Sequence, residues 1–233
     1  MANLILFDLD GTLLESAGFD AQCFIAAVKG VLGIDSMDED WDHYVFATDA
    51  GILEEVYQKH FQQGIPGEVE ERVREKFVDI MLERFSKDHV RLRPLPGAED
   101  AVHLLLSSGE WQVAIATGSW RESAELKLMN AMLELERIPI FSANDAVSRT
   151  AIMGLAAKTM RARAGVKEFE KVVYLGDAPW DVRASRELGM AFLGVGARAS
   201  ELSRLGASHT IKDYADKELF LKSVISCEAP AVP

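Results

Sequence analysis

Three short apolar runs in this chain each end on residues able to do chemistry. Asp8 and Asp10 close the run Leu4–Leu9, with Gly11 behind them; Thr117 and Gly118 close Trp111–Ala116; Gly176 and Asp177 close Lys171–Leu175. In a parallel sheet the ligand crevice lies beyond the carboxyl ends of the strands, so these distant segments would deliver carboxylates and a hydroxyl to one edge. Crowded carboxylates repel unless a cation cancels them, and Mg²⁺, a hard ion that takes oxygen ligands and a substrate phosphate oxygen, does so. Asp8 can then attack phosphorus and form an aspartyl-phosphate. Asp10, two residues on, is placed to protonate the leaving oxygen and later to deprotonate the attacking water. Thr117 and nearby backbone N–H groups can hold the non-bridging phosphoryl oxygens. Gly11, Gly118 and Gly176 let the backbone turn and approach a ligand closely.

Positioning these residues requires a particular scaffold. The three runs have the character of strands buried on both faces. Helical periodicity follows at Gly97–Ser108, Arg121–Leu135, Thr150–Ala164 and Trp180–Leu188, and shorter strands are expected at Ile138–Phe141, Ala191–Val195 and His209–Ile211. Strands alternating with helices predict an α/β fold with a doubly wound, Rossmann-like parallel sheet. From Glu15 to Arg93 the alternation stops. Phe19, Cys23, Phe24, Ala27, Val28, Val31 and Leu32 recur at helical spacing, as do Val69, Val73, Phe77, Ile80, Met81 and Phe85, with a weaker pattern over Asp49–Phe61. This predicts an α-helical cap over residues 15–93 inserted into a core of residues 1–14 and 94–233, with Arg93-Pro94-Leu95-Pro96-Gly97 marking the return. The tail Glu228–Pro233 is expected to fray.

Composition narrows the function classes. Asp and Glu number 37 against 25 Lys and Arg, a formal charge of −12 over 233 residues. Such a surface repels phosphate backbones and anionic lipid heads, so neither a nucleic acid nor a membrane is expected as partner. Hydrophobic residues at 48% permit a sizeable core. Cys23 and Cys227 lie far apart, both in apolar-periodic segments, with no metal or redox spacing. No signal-like segment opens the chain and no stretch approaches a membrane span, so a cytoplasmic protein is expected, monomeric or homodimeric.

The motifs carry a resemblance. Asp8-Leu9-Asp10-Gly11-Thr12 resembles the first motif of the haloacid dehalogenase-like hydrolases, Ala116-Thr117-Gly118-Ser119 is similar to their second, and Gly176-Asp177-Ala178-Pro179-Trp180-Asp181 to their fourth. The helical insert resembles that family's cap. The resemblance implies an Mg²⁺-dependent phosphatase acting on a small phosphorylated metabolite, phosphoglycolate phosphatase-like. It makes Asp8 the nucleophile and Asp10 the acid/base, and places Asp8, Asp10 (through its backbone carbonyl), Asp177 and Asp181 at the metal. Gly11, Thr117, Gly118 and Ser119 would contact phosphate. The third motif usually places a Lys between nucleophile and phosphate; here Arg149 opens the helix at that point, and Lys158, more than two turns on, is the substitute. Arg keeps the charge but not the compact geometry of Lys.

Alternatives stay open on sequence alone: a phosphomutase with the same motifs, a phosphonatase using Lys29 as a Schiff-base lysine, or a non-catalytic regulator binding Mg²⁺ and a phosphorylated ligand. A metal-free haloacid dehalogenase is disfavoured by Asp10 and by the Asp177/Asp181 pair. Several residues carry two readings. Thr117 reads as phosphate contact or helix N-cap, Asp49 as substrate contact or helix N-cap, and Asp181 as ligand, first-turn carboxylate or both. Trp120 and Trp180 read better as packing than as pocket walls, and the acidic run Asp35–Asp42 as a solvated loop.

Overall fold

Side chains alternate between the two faces of a strand, so a run that is apolar at every position must be covered on both sides. The computed structural model, which describes residues 2–135 and 137–232, meets that demand with six parallel strands: β1 Asn3–Phe7, β2 Trp111–Ala116, β3 Ile140–Phe141, β4 Val172–Gly176, β5 Ala191–Val195 and β6 His209–Ile211. Their spatial order is β3-β2-β1-β4-β5-β6, the doubly wound order that reverses direction between β1 and β4. One face presents Ile5, Phe7, Val113, Ile115, Val173 and Leu175 to α4 (Ala98–Ser108), α5 (Arg121–Asn130) and α9 (Lys217–Ser226). The other presents Leu4, Leu6, Ala114, Ala116 and Tyr174 to α6 (Arg149–Ala164), α7 (Pro179–Leu188) and α8 (Ala199–Arg204).

Between β1 and α4 the chain is helical. α1 (Ala17–Leu32), α2 (Asp49–Phe61) and α3 (Gly67–Lys87) share a core of Cys23, Phe24, Leu53, Val56, Phe77 and Met81. The core domain contributes to this cluster too, because Trp120, fully buried, sits 5.8 Å from Phe24 and 6.1 Å from Phe77, centroid to centroid. The packing reading of Trp120 is therefore the observed one. Where the chain leaves and re-enters the core its two segments pair: Glu15 N–H donates to Arg93 O at 2.8 Å and Leu95 N–H to Leu13 O at 2.9 Å.

Some expectations shift. The second core helix stops at Asn130 instead of Leu135, because Met132 takes a left-handed φ of 53° that breaks the helical ladder. The tail is held as far as Ala231 instead of fraying. Phe192 N–H donates to Glu228 O at 3.0 Å, Ala231 N–H donates to Gly206 O at 3.1 Å, and Arg186 donates to Ala231 O at 2.7 Å. Pro233 lies outside the described residues. Among the described residues no helix is long and apolar enough to cross a membrane.

Candidate active site

The direction reversal between β1 and β4 opens a crevice, and the residues following those two strands meet there. Asp8 follows β1, its backbone N–H held by Leu175 O at 2.9 Å, and Asp177 follows β4. Asp181 lies in the first turn of α7, fully buried, its Oδ2 accepting from the backbone N–H groups of Asp177 (3.2 Å) and Ala178 (3.1 Å). It is at once a helix-terminal carboxylate and a member of the cluster. Asp8, Asp177 and Asp181 each offer a carboxylate oxygen within 4.8 Å of the others. Burial, followed by the charges of Asp181 and Asp8, pushes Asp177 up to about 8; burial likewise lifts Asp181 to about 7 against the pull of Arg149. Three carboxylates thus share one site with too little positive charge, and an all-oxygen donor set of this kind fits a hard divalent ion such as Mg²⁺. The backbone keeps room for them: at Gly11 (φ 81°) a Cβ would lie 2.2 Å from Asp177 Oδ2.

Arg149 supplies the fixed cation. It begins α6, after Ser148, whose hydroxyl accepts from Ala151 N–H as the helix N-cap. Its Nη1 donates to Asp8 Oδ1 at 2.7 Å and to Tyr174 Oη at 3.1 Å, and Nη2 donates to Ala47 O at 3.3 Å across to the insert. Nε lies 3.5 Å from Asp181 Oδ1, an ion pair without a hydrogen bond. Gly118 makes way for it, since a Cβ there would come 2.7 Å from Nη2. Burial raises Asp8 above the usual carboxylate range, while Arg149 pulls it down. The structure does not bring Lys158 to this crevice. It is exposed on α6, nine residues from Arg149 or roughly 14 Å along the axis, beside Arg161, Glu168 and Val172 at the opposite end of the strands.

A second cluster surrounds Asp10. Ser16 donates to its Oδ1 at 2.5 Å; Ser119 (2.9 Å) and Lys127 (2.5 Å) donate to Oδ2. Lys127 is fully buried and also donates to Asp20 Oδ1 at 2.5 Å and to Ser119 at 2.9 Å. Burial alone would lift Asp10, yet Lys127 and the two hydroxyls outweigh it and hold the group below its ordinary value. Burial opposes charging of Lys127 as well, but Asp10 and Asp20 hold it firmly protonated. The sequence reading missed both Lys127 and Asp20. The signal was a charge inside an apolar helical stripe: Lys127 recurs with Trp120, Ala124 and Ala131, and Asp20 with Cys23, Phe24 and Ala27.

Thr117 accepts from Ser119 N–H at 3.2 Å, and the residue preceding α5 is Trp120, so Thr117 is not that helix's N-cap. Nor is Asp49 the N-cap of α2. Thr48 fills that place, accepting from Gly51 N–H at 3.1 Å. Asp49 instead faces the core, its Oδ2 accepting from Trp120 N–H and its own N–H donating to Gly118 O, both at 2.8 Å. A cavity of about 140 Å³ joins Asp8, Asp10, Thr117, Gly118, Ser119, Arg149 and Asp177 to Asp20, Trp41 and Asp49 of the insert. Trp180 is a cavity wall with Arg198 over its ring at 5.9 Å, contrary to the packing expectation. Lys29 is paired with Glu39 at 3.3 Å and does not line this cavity. The acidic loop is not solvated throughout, because Asp42 bridges Arg183 (3.2 Å) and Arg198 (3.4 Å) of the core.

With sheet order, crevice and carboxylates in place, the comparisons name the class. A sequence model of the haloacid dehalogenase-like hydrolases matches residues 2–189, and the chain belongs to that family. A search of curated proteins finds no significant match. Among solved structures, a hydrolase from Pseudomonas syringae is similar at 24% identity and a TM-score of 0.72, covering 96% of this chain and 99% of that one. CbbY from Rhodobacter sphaeroides in complex with xylulose-(1,5)bisphosphate is similar at 22% identity, a TM-score of 0.66 and coverage of 93% and 96%. A predicted phosphoglycolate phosphatase from Haemophilus somnus follows at 16% identity, a TM-score of 0.58 and coverage of 94% and 98%. At these identities the three neighbours show a shared fold.

Proposed function

We propose that this hydrolase is an Mg²⁺-dependent phosphatase that cleaves a small phosphate monoester through an aspartyl-phosphate on Asp8. The observation that carries the reading is the separation of two carboxylates that start two residues apart. Asp8 turns into the cluster of Arg149, Asp177 and Asp181, whereas Asp10 turns away from it onto Ser16, Ser119 and Lys127. One is dressed as a nucleophile beside an anion site and the other as a proton carrier on the leaving-group side.

In this reading Asp8, Asp177, Asp181 and the backbone carbonyl of Asp10 hold the metal, which when bound neutralises phosphoryl charge and the crowded carboxylates. Arg149 pulls Asp8 towards its ionised form and pairs with a phosphoryl oxygen; Thr117, Gly118 and the Gly11 turn hold the others. Asp8 attacks phosphorus as Asp10 hands a proton to the departing alcohol. Asp10 rests ionised under Lys127, so that proton arrives with substrate, whose monoanion is abundant near its second pKa of about 6. Asp10, once more ionised, then takes a proton from the water that attacks the aspartyl-phosphate.

Residues 15–93 act as a cap over a core of residues 1–14 and 94–233. Support comes from the paired crossing at Glu15/Arg93 and from the contacts of Asp20, Ala47 and Asp49 across the crevice. The expected partner is a small phosphorylated metabolite and the expected setting the cytoplasm. Phosphate release from a monoester panel tests the reading. Activity is expected with Mg²⁺ and not with EDTA, and Asp8→Asn is expected to lower kcat by at least roughly a thousandfold; a metal-independent or Asp8-independent phosphatase would overturn it.

A further inference from the structure

The insert side of the crevice cavity has a distinct lining and a small volume. Its wall on the insert side carries two buried carboxylates, Asp20 and Asp49, with the aromatic face of Trp41 and the aliphatic Ile52. Every cation nearby is already engaged. Arg149 serves Asp8 and Asp181 on the phosphate side; Lys127, with no exposed surface, is shared between Asp10 and Asp20. Arg198 is held by Glu201 through two contacts, 2.8 and 3.3 Å, and reaches Asp42 at 3.4 Å. Asp49 spends Oδ2 on Trp120 N–H, and among the described residues its Oδ1 has no hydrogen-bond partner. A volume of about 140 Å³ is under half of the roughly 300 Å³ at which ordinary ligand pockets begin. A phosphoryl group takes up much of that volume, which favours a short alcohol.

We infer that the site takes phosphate monoesters of short alcohols carrying no anionic substituent, and that Asp49 is a residue that enforces this, its free oxygen bonding a hydroxyl or ammonium while the wall around it offers a carboxylate or second phosphate no unengaged cation. The inference rests on the phosphatase reading and fixes its substrate class. An anion desolvated without a counter-charge is strongly disfavoured, and a polar group of the site left without its partner adds to the selection. Burial, with Asp20 next, raises Asp49 well above the ordinary carboxylate range, so it meets a hydroxyl as a neutral carboxyl and is drawn to its charged form beside a cationic end group.

Three two-carbon esters separate the possibilities: 2-hydroxyethyl phosphate, 2-aminoethyl phosphate and 2-phosphoglycolate, which differ chiefly in the end group. With Mg²⁺ present, kcat/KM for the hydroxyl or the amine is expected to exceed that for the carboxylate by roughly tenfold or more. Asp49→Asn is expected to narrow the ratio by raising turnover of 2-phosphoglycolate. The wild-type ratio stands without the variant should Asn at that position fail to fold. Equal or preferred turnover of 2-phosphoglycolate would overturn the inference and leave the phosphatase reading intact, as would turnover confined to larger esters or a ratio unmoved in a folded Asp49→Asn protein. No release from any monoester would overturn both.

Discussion

The two ends of the crevice hold similar charges in opposite ways. At the phosphate end Asp8, Asp177 and Asp181 crowd within 4.8 Å around a single Arg149, with the Tyr174 hydroxyl donating to Asp181 Oδ1 at 3.4 Å. At the insert end Asp10 and Asp20 face a single Lys127, and Ser16, Ser119 and Lys127 satisfy Asp10 on both oxygens. The first end is left short of positive charge and is suited to receive a divalent cation and a phosphoryl group. The second is a completed hydrogen-bonded clasp between insert and core. Unpaired charge marks where a ligand binds; paired buried charge marks where the protein fixes its own geometry, here the position of the proposed proton carrier Asp10.

Breaking the clasp should cost most. Lys127→Met leaves Asp10 and Asp20 buried without their cation, a loss of about 3 to 5 kcal/mol by analogy with other severed buried pairs. At roughly 2 to 4 °C per kcal/mol for a chain of this size, Tm should fall by about 10 °C in thermal unfolding, and an unchanged Tm would show the clasp to be ornamental. At the phosphate end the same type of change should act on rate. Arg149→Met is expected to lower kcat by roughly a hundredfold, and Arg149→Lys, keeping the charge without the fork, by less. A larger loss with Lys than with Met would refute the charge-based role.

The ends should also separate by pH. Asp177 and Asp181, held near 8 and 7 by burial and mutual repulsion, bind protons more tightly folded than unfolded. Their contribution is therefore complete below the unfolded value near 3.8 and is lost as pH rises through 7 to 8. Metal-free protein in EDTA should lose Tm between pH 6 and 8.5, Asp177→Asn should flatten that slope, and Mg²⁺ should raise Tm more at pH 8 than at pH 6. A rising Tm in EDTA would contradict this. The smallest effect is expected at the rim. Asp42, 29% exposed and bridging Arg183 and Arg198, should contribute under about 1 kcal/mol, so that Asp42→Asn alters KM slightly and leaves Tm within error.

The same contrast explains what the sequence disclosed. The phosphate end is built from residues immediately beyond β1, β2 and β4, where a polar residue after an apolar run advertises itself, and Asp8, Thr117 and Asp177 were legible for that reason. Strands β1, β2, β4 and β5 were legible too, because burial on both faces makes each run almost uniformly apolar, whereas β6 carries the half-buried His209 and Thr210 and shows little of that signal. The clasp was not. Asp20 lies in the first turn of α1 and Lys127 in the last turn of α5, where an acid and a base read as ordinary helix-end charges until the two helices from separate parts of the chain are seen to pair them. α8 spans only six residues, too few to show a period, and the 10-residue α9 was registered only through the apolar setting of Cys227. Lys158 shows the limit of spacing as a guide: it lies on the same helix as Arg149 and at the wrong end of it.

The central claim is that Asp8 carries the phosphoryl group. Rapid acid quench of the Mg²⁺-loaded enzyme during turnover, followed by peptide mass spectrometry, tests it most directly. The account predicts a phosphorylated peptide whose modified residue is Asp8, formed and lost at rates compatible with turnover and absent in Asp8→Asn. Phosphate release with no phosphorylated enzyme, or with the phosphoryl group on any other residue, would contradict it.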